Sequence, residues 1–373
     1  MVELVINSNP MFKITLFAAV IFLSGFVFGN TAHHKHIIVI DAGSTGSRIF
    51  IFDSTHDLKE QWMFKEKKAG GIHTVSSDLS KLPQYLDPLI SFAQTKLSDF
   101  AHETPIYFRA TGGMRSLEIT EQKHVLRAVE NYFGKAGFKN VLASVLSGTD
   151  EGIYAWIAVN YLLKKLSQEN PLDTLGVLDM GGASTQTTFV PVNTPVHGGY
   201  KLTLGKQTYE LYSHSYDGLG MQLGLKALSS PSCENQGDFE LCRQNIIVKL
   251  KNILKDTYKP ELHGNFVAIG GFAQLVKVFR LKILAPVTLE NYGRYLCAMP
   301  WLEVKTLYEM ADLPQFLATG CFEMAYYSVL MPNTPNPISA SEKINDQAVS
   351  IAFGIAVYET LHGKISAIDT DEL

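Results

Sequence analysis

The sequence predicts an α/β protein of two similar halves, each opened by a β-hairpin with a hydroxyl-rich turn. Three observations carry that reading. The stretch IIVIDAGSTGSRIFIFD, residues 37–53, sets β-branched and aromatic runs on either side of a short turn, which is the pattern of a hairpin. GVLDMGGASTQTTFVP, residues 176–191, repeats the design with an Asp at the strand end, two glycines and two hydroxyls. The length of 373 residues exceeds what a single core usually organises.

Taken in order, residues 1–32 stand apart from the rest. Ile14 to Phe28 is a mainly apolar run preceded by Lys13. It is shorter than the roughly 20 residues of a membrane span, and it suits a signal-peptide core with cleavage after Gly29 or Ala32. A retained anchor is the alternative, and Met11 is an alternative start. Either way the folded part is expected to be secreted or otherwise extracytoplasmic, with membrane contact only if this segment stays uncleaved.

After the first hairpin come an amphipathic helix over 84–98, a strand over 105–110 and a helix over 118–134 that Gly134 and Gly137 would stop. A strand at 140–148 leads to a turn, and a helix headed by Thr149, Asp150 and Glu151 runs to about Ser167. QENPLD, 168–173, is the natural break. The plan then restarts with the second hairpin, alternating strands in YKLTLGKQTYELYSHSY, a cysteine-bracketed loop, a strand at 266–270 and a mostly helical end. Pro332, Pro335 and Pro337 mark a late loop, and a last helix over 345–361 is expected to return to the first half. The expected domains are 33–165 with 345–373, and 166–344.

A hydrophobic content of 46 % with 18 % charged residues marks a globular chain, and a net charge of −4 gives no electrostatic reason to expect nucleic acid. The four cysteines fit an exported chain. Three connectivities are open, and locality favours Cys233 with Cys242 and Cys297 with Cys321. No Asn-x-Ser/Thr sequon occurs, which favours a bacterial source over a glycosylating secretory route.

The turns carry the chemistry. Glycines let backbone N–H groups converge on an anion, and adjacent hydroxyls add donors to phosphate oxygens. An Asp at each strand end, Asp41 and Asp179, would repel phosphate unless a divalent cation lay between them. Two such turns facing each other would grip a polyphosphate from both sides. Glu151, early in a helix, has the position of a general base, with the helix N-terminus helping to keep it ionised; Asp150 is the alternative cap. Arg48 and Arg115 either contact phosphate or form structural ion pairs. His214 reads as structural, and Trp156, Trp301, Tyr154 and Tyr161 as core.

DAGSTGSR, ATGGMR (110–115), GTDEGIYAWIAVNYLL (148–163) and DMGGASTQ (179–186), in that order, resemble the first four apyrase conserved regions of the nucleoside triphosphate diphosphohydrolase family. LYSHSYDGLG, FVAIGGF, CAMPWLEVK and GCFEMAYY resemble further segments of it, so the likeness runs from about 36 to 361. The resemblance implies an actin/hexokinase-like fold, two RNase H-like lobes with the site in the cleft between them. It implies hydrolysis of nucleoside tri- and diphosphates by a monomer with Mg²⁺ or Ca²⁺, and the same two disulfides. It also implies that Asp41 and Asp179 hold the metal through waters, that Glu151 is the base, and that Ser184 and Gln186 position the attacking water. Gly43, Ser44, Thr45, Gly46, Ser47, Thr111, Gly181, Gly182 and Ala183 would then contact phosphates. The chain departs from the family pattern at Gly112, where Ala is commoner, and after YYSVLM, where PNTPNPISASEK supplies no aromatic to stack on a base. The rival readings are an exopolyphosphatase-type phosphohydrolase of the same superfold and a nucleotide-driven switch without turnover.

Overall fold

β1 (His36–Gly43) and β2 (Gly46–Asp53) form the first hairpin, in register from His36 opposite Asp53 to Gly43 opposite Gly46. The computed structural model describes residues 35–367 except 56, 67–69, 168, 194–196, 235, 255–260, 301, 304–305, 307–318, 332–333 and 335. β3 (Lys59–Lys65) extends β2 outward. On the other side of β1, β4 (Ile106–Ala110) and then β5 (Val141–Val145) add in parallel. Parallel neighbours need crossover connections. Here α1 (Leu82–Leu97) provides the first, and α2 (Gly112–Arg115) with α3 (Ile119–Lys135) the second. The sheet order is β3-β2-β1-β4-β5.

α4 (Gly148–Leu162) leads to the second half. β6 (Gly176–Met180) and β7 (Ser184–Phe189) form the second hairpin, with Asp179 opposite Gln186 and Met180 opposite Thr185. β8 (Gly199–Leu204) and β9 (Gln207–Asp217) follow, and β9 pairs with β7. After α5 (Met221–Leu228) and α6 (Phe239–Leu254), β10 (Phe266–Gly270) joins β6 in parallel. α7 (Gly271–Val278), α8 (Pro286–Ala298) and α9 (Gly320–Leu330) precede β11 (Ser339–Ala340), which pairs with β10. A two-residue ladder, β12 (Lys343–Ile344) and β13 (Gln347–Ala348), comes before α10 (Ile351–Thr360) and β14 (Lys364–Ala367). The second sheet runs β11-β10-β6-β7-β9-β8-β14.

The two-residue period of a strand sends alternate side chains to opposite faces, and this sorts the core into layers. Ile38 and Ile40 of β1 pack with Leu86, Leu89, Val125 and Val129 of α1 and α3, while Ile37 and Val39 pack with α4 and α10. In the second sheet Leu178 and Met180 face α6, α8 and α9, while Val177, Leu202 and Leu211 face α4 and α10. The pair α4 and α10 is therefore the middle layer, and its core cluster takes residues from both sheets. A Cβ added at Gly354 of α10 would lie 1.9 Å from the Tyr154 carbonyl oxygen of α4. Trp156 and Tyr154 are buried in this layer, and the Tyr161 hydroxyl accepts from the Leu58 amide at 3.2 Å.

Several boundaries differ from expectation. The last helix starts at Ile351 rather than 345, because 343–348 form a ladder and Ser350 caps the helix by accepting from the Phe353 amide. Strand 364–367, placed with the first half by the sequence reading, pairs with β8 of the second sheet. α4 ends at Leu162, and Lys164 takes a left-handed φ of 56° before Ser167. Cys242 sits on α6 rather than in a loop. Cys233–Cys242 and Cys297–Cys321 are disulfides with Cα separations of 4.9 and 4.8 Å. The ring of His214 lies against those of Tyr212 and Tyr216. The apolar run 14–28 with the signal segment 1–32, Trp301, Pro332 and Pro335 lie outside the described residues. No helix among the described residues is long and apolar enough to cross a membrane.

Candidate active site

The first turn follows directly from its sequence. β1 and β2 close at Gly43 and Gly46, leaving Ser44 and Thr45 at the tip, Ser44 half-buried and Thr45 exposed. Ser47 is buried, and its Oγ has no partner among the described residues. Asp41, two residues before Gly43, is buried opposite Arg48, whose Nη1 donates to Asp41 Oδ2 at 3.0 Å. Burial raises the Asp41 carboxyl above its ordinary range, and the Arg48 charge partly offsets the rise. Thr111 follows β4, with its amide donating to the Ala42 carbonyl at 3.2 Å, so the start of α2 is tied to the strand that carries Asp41.

The second turn has its carbonyls spoken for. The Gly181 oxygen accepts from the Met221 amide, the Gly182 oxygen from Gln222 and Leu223, and the Ala183 oxygen from Gly218. In a trans peptide the N–H points opposite to the C=O. The amides of Gly182 and Ala183 are thus turned away from α5, in the manner of an anion-binding nest. Gly220 permits this close approach: a Cβ there would stand 2.5 Å from the Ala183 nitrogen and the Gly182 carbonyl carbon.

The two turns face each other. A Cβ on Gly182 would lie 3.2 Å from Ser44 Oγ, and one on Gly112 would lie 3.0 Å from the Ala183 Cβ. Asp179 at the end of β6 is pushed up to about 7, first by burial and then by the Asp41 charge. The two strand-end carboxylates therefore lie within electrostatic reach of one another. Among the described residues no group of three or more His, Cys, Asp or Glu side chains is placed to hold a metal.

Glu151 is the fourth residue of α4. Ser147 caps that helix, its Oγ accepting from the Asp150 amide at 3.0 Å while Asp150 returns a bond to Ser147. Asp150 is thus the reciprocal partner in a capping box rather than the cap. The Glu151 carboxyl is pushed up to about 7 by burial, against the pull of Arg115. The helix N-terminus was expected to help keep this group ionised; burial has the larger effect and favours the neutral acid. Arg115 Nη1 donates to Glu151 Oε1 and to the Leu146 carbonyl, and Nη2 reaches Ser184 Oγ at 3.4 Å and Asp217 Oδ1 at 3.2 Å. Ser184 and Gln186 are buried beside it, with Gln186 Nε2 donating to Ser184 Oγ at 2.8 Å and to Ser215 Oγ at 3.0 Å.

The structure thus brings Asp41, Ser44, Asp179, Gly182, Ala183, Glu151, Ser184 and Gln186 together where the two hairpin turns meet, and pairs both arginines with carboxylates. Sequence reasoning missed three neighbours. Asp217 and Ser215 fell within LYSHSYDGLG, which was read as resembling the family without a role for either residue. His73 lies under the first turn, where a Cβ on Gly113 would meet its Nδ1 at 2.5 Å, and the paired Gly70 and Gly71 before it were the available signal.

Two lobes, each opened by an Asp-led turn facing the other, define a protein of the actin/hexokinase-like fold. The family model described as GDA1/CD39 (nucleoside phosphatase) matches residues 28–263, and the chain belongs to that family. It is a nucleoside phosphate hydrolase. Over 369 residues it is 26 % identical to probable apyrase 3 of Arabidopsis thaliana, covering 81 % of this chain and 76 % of the relative. It is 28 % identical to ectonucleoside triphosphate diphosphohydrolase 1 of Bos taurus, covering 80 % and 74 %. Among solved structures, the Ppx/GppA protein of Aquifex aeolicus superposes with a TM-score of 0.60 at 16 % identity, over 88 % of this chain and 98 % of the other. A nucleoside triphosphate hydrolase of Neospora caninum superposes at 0.59 and 14 %, over 88 % and 92 %. These two likenesses bear on the fold alone.

Proposed function

We propose that this chain is an extracytoplasmic, divalent-metal-dependent hydrolase of nucleoside tri- and diphosphates that acts as a monomer, with water activated by Glu151. The observation that carries the reading is the approach of Ser44 to Gly182, which sets the two Asp-led turns against each other with Glu151 behind them.

The residues fit a hydrated hard cation. Asp41 and Asp179 are buried carboxylates both raised by burial, Asp179 also by the Asp41 charge, so a positive charge between them, beyond that of Arg48 on Asp41, would favour the ionised form of each. Mg²⁺ is typically held by one or two carboxylates plus waters and substrate phosphates, and Ca²⁺ takes similar oxygen ligands. Such an ion, held by Asp41 and Asp179 through waters, would neutralise charge on the phosphate tail. The chain's own groups do the rest. The amides of Gly182 and Ala183, with Gly43, Ser44, Thr45, Gly46, Ser47, Thr111 and Gly181 around them, hold phosphate oxygens. Ser184 and Gln186 orient a water, and Glu151 withdraws its proton as the water attacks the terminal phosphorus in line.

The disulfides Cys233–Cys242 and Cys297–Cys321 support an oxidising compartment. The proposed lobes are 33–165 with 345–373, apart from strand 364–367, and 166–344.

Purified protein given ATP, ADP, GDP or polyphosphate, with and without a chelator, is expected to release phosphate from the nucleotides. That release should stop on chelation and return with Mg²⁺ or Ca²⁺. Polyphosphate cleaved faster than any nucleotide would favour the exopolyphosphatase reading instead. Glu151→Gln should lower kcat about a hundredfold or more. Near-normal turnover in that variant would remove Glu151 from its role.

A further inference from the structure

We propose that Asp217, acting through Ser215, is the positioning residue that fixes which way the Gln186 amide faces, and so prepares Gln186 and Ser184 to hold the attacking water. The inference rests on the reading of Ser184 and Gln186 as the groups that orient that water.

Five side chains from three elements close a ring. Asp217 Oδ1 accepts from Ser215 Oγ at 3.0 Å and from Arg115 Nη2 at 3.2 Å. Arg115 Nη2 also approaches Ser184 Oγ at 3.4 Å, and Gln186 Nε2 joins Ser184 Oγ at 2.8 Å to Ser215 Oγ at 3.0 Å. An ionised carboxylate can only accept. Ser215 has one hydrogen, and Asp217 takes it. Ser215 Oγ must then accept from Gln186, so the amide puts its nitrogen between the two hydroxyls. Both amide hydrogens are spent inside the ring. Oε1 is left as an acceptor outside it. Ser184 Oγ, already accepting twice, keeps its own hydrogen to donate.

A water beside these groups finds one acceptor and one donor in fixed places, which leaves its second proton for Glu151. If Asp217 did not claim the Ser215 hydrogen, both serines could donate to a reversed amide. The ring would be equally satisfied, but an NH₂ group would stand where Oε1 stood. The carboxylate is what breaks the tie.

Two features suit Asp217 to this role. Its side chain is 65 % exposed, and an ion pair so placed contributes little to stability, so replacing it should leave the fold intact. The arm it forms with Ser215 lies against bare backbone at the head of α4. A Cβ on Gly148 would meet Ser215 Oγ at 2.1 Å and Asp217 Oδ1 at 3.3 Å. The ring is thereby seated three residues from Glu151.

The test uses the full chain with Mg²⁺ and ATP, comparing Asp217→Ala, which removes the acceptor, with Ser215→Ala and the double variant. Each single change should lower kcat about tenfold to a hundredfold, the scale of a misplaced reacting group, with KM within about twofold and an unchanged thermal midpoint. The double variant should be no slower than the slower single variant, because both cut the same relay. Asp217→Asn, whose amide oxygen can still accept the Ser215 hydrogen, should retain more activity than Asp217→Ala. Normal kcat in either single variant, losses that multiply in the double, or a change confined to KM would overturn the proposal. Glu151→Gln measured alongside separates the two claims. An inactive Glu151→Gln with normal ring variants sinks the proposal and leaves the base in place. An active Glu151→Gln with slow ring variants sinks the base and supports the ring.

Discussion

Glu151 and Glu323 are both carboxyls lifted by burial, and they differ in what faces them. Glu151 has the Arg115 guanidinium on one side and the charges of Asp179 and Asp41 on the other, and stands at about 7. Glu323 stands at about 8. Its Oε1 accepts from Thr319 Oγ1 at 2.7 Å, while Oε2 is shielded from solvent and without a partner among the described residues. Linkage then gives a sign. Between the ordinary value of 4.5 and about 8 the folded chain keeps the Glu323 proton that the unfolded chain releases. The folded state binds more protons there, so this group makes stability fall as pH rises across that window. Glu323→Gln, which mimics the neutral acid, should raise the thermal midpoint relative to the parent increasingly from pH 5 to pH 8. A constant difference across that range would show that Glu323 ionises normally. Little of this was legible beforehand. The type and place of Asp41, Asp179 and Glu151 could be read because each sits beside a glycine-rich turn or a helix start. The partners of Glu151 could not, because Arg115 reaches it from a four-residue helix whose position depends on tertiary packing.

α4 shows how much one element carries. Its N-terminus is set by Ser147 and Asp150, its first turn presents Glu151, and its middle packs on α10 through Gly354. The early acids and the apolar run were visible in the sequence, so the existence of the helix and its start to within a residue were readable, although the cap is Ser147 rather than Thr149. Its apolar character on every side marked a helix buried all round, yet what it lay between could not be read from one chain direction alone. Gly354→Ala should force α10 from α4, because the added carbon meets backbone at 1.9 Å and backbone cannot rotate away. Overpacking of this kind typically costs about 1–3 kcal/mol. A denaturant midpoint equal to the parent's would mean that the two helices are less closely fitted than they stand here.

At the scale of the whole molecule the two halves are alike in plan but not in reinforcement. Both disulfides lie in the second half, one joining Cys233 to Cys242 nine residues on, the other joining Cys297 to Cys321 across a separation of 24. In the chain-entropy picture each restricts the unfolded chain by about 3 kcal/mol, the longer loop somewhat more. Replacing Cys297 and Cys321 together by Ser should lower the thermal midpoint more than replacing Cys233 and Cys242. The reverse order in calorimetry would show that local packing rather than loop length governs. The doubled hairpin plan was readable because its turns repeat locally. The destination of strand 364–367 was not, because a four-residue strand has no pattern strong enough to name its sheet.

The middle layer also constrains how the molecule can breathe. Since α4 and α10 share one apolar cluster with strands of both sheets, the described residues join the two lobes through that helical pair. Any widening of the gap at Ser44 and Gly182 has to rock about that helical pair. Glu151 rides on that pair itself, so a parting of the turns that admitted a nucleotide tail would displace the proposed base less than it displaced Ser44 or Gly182.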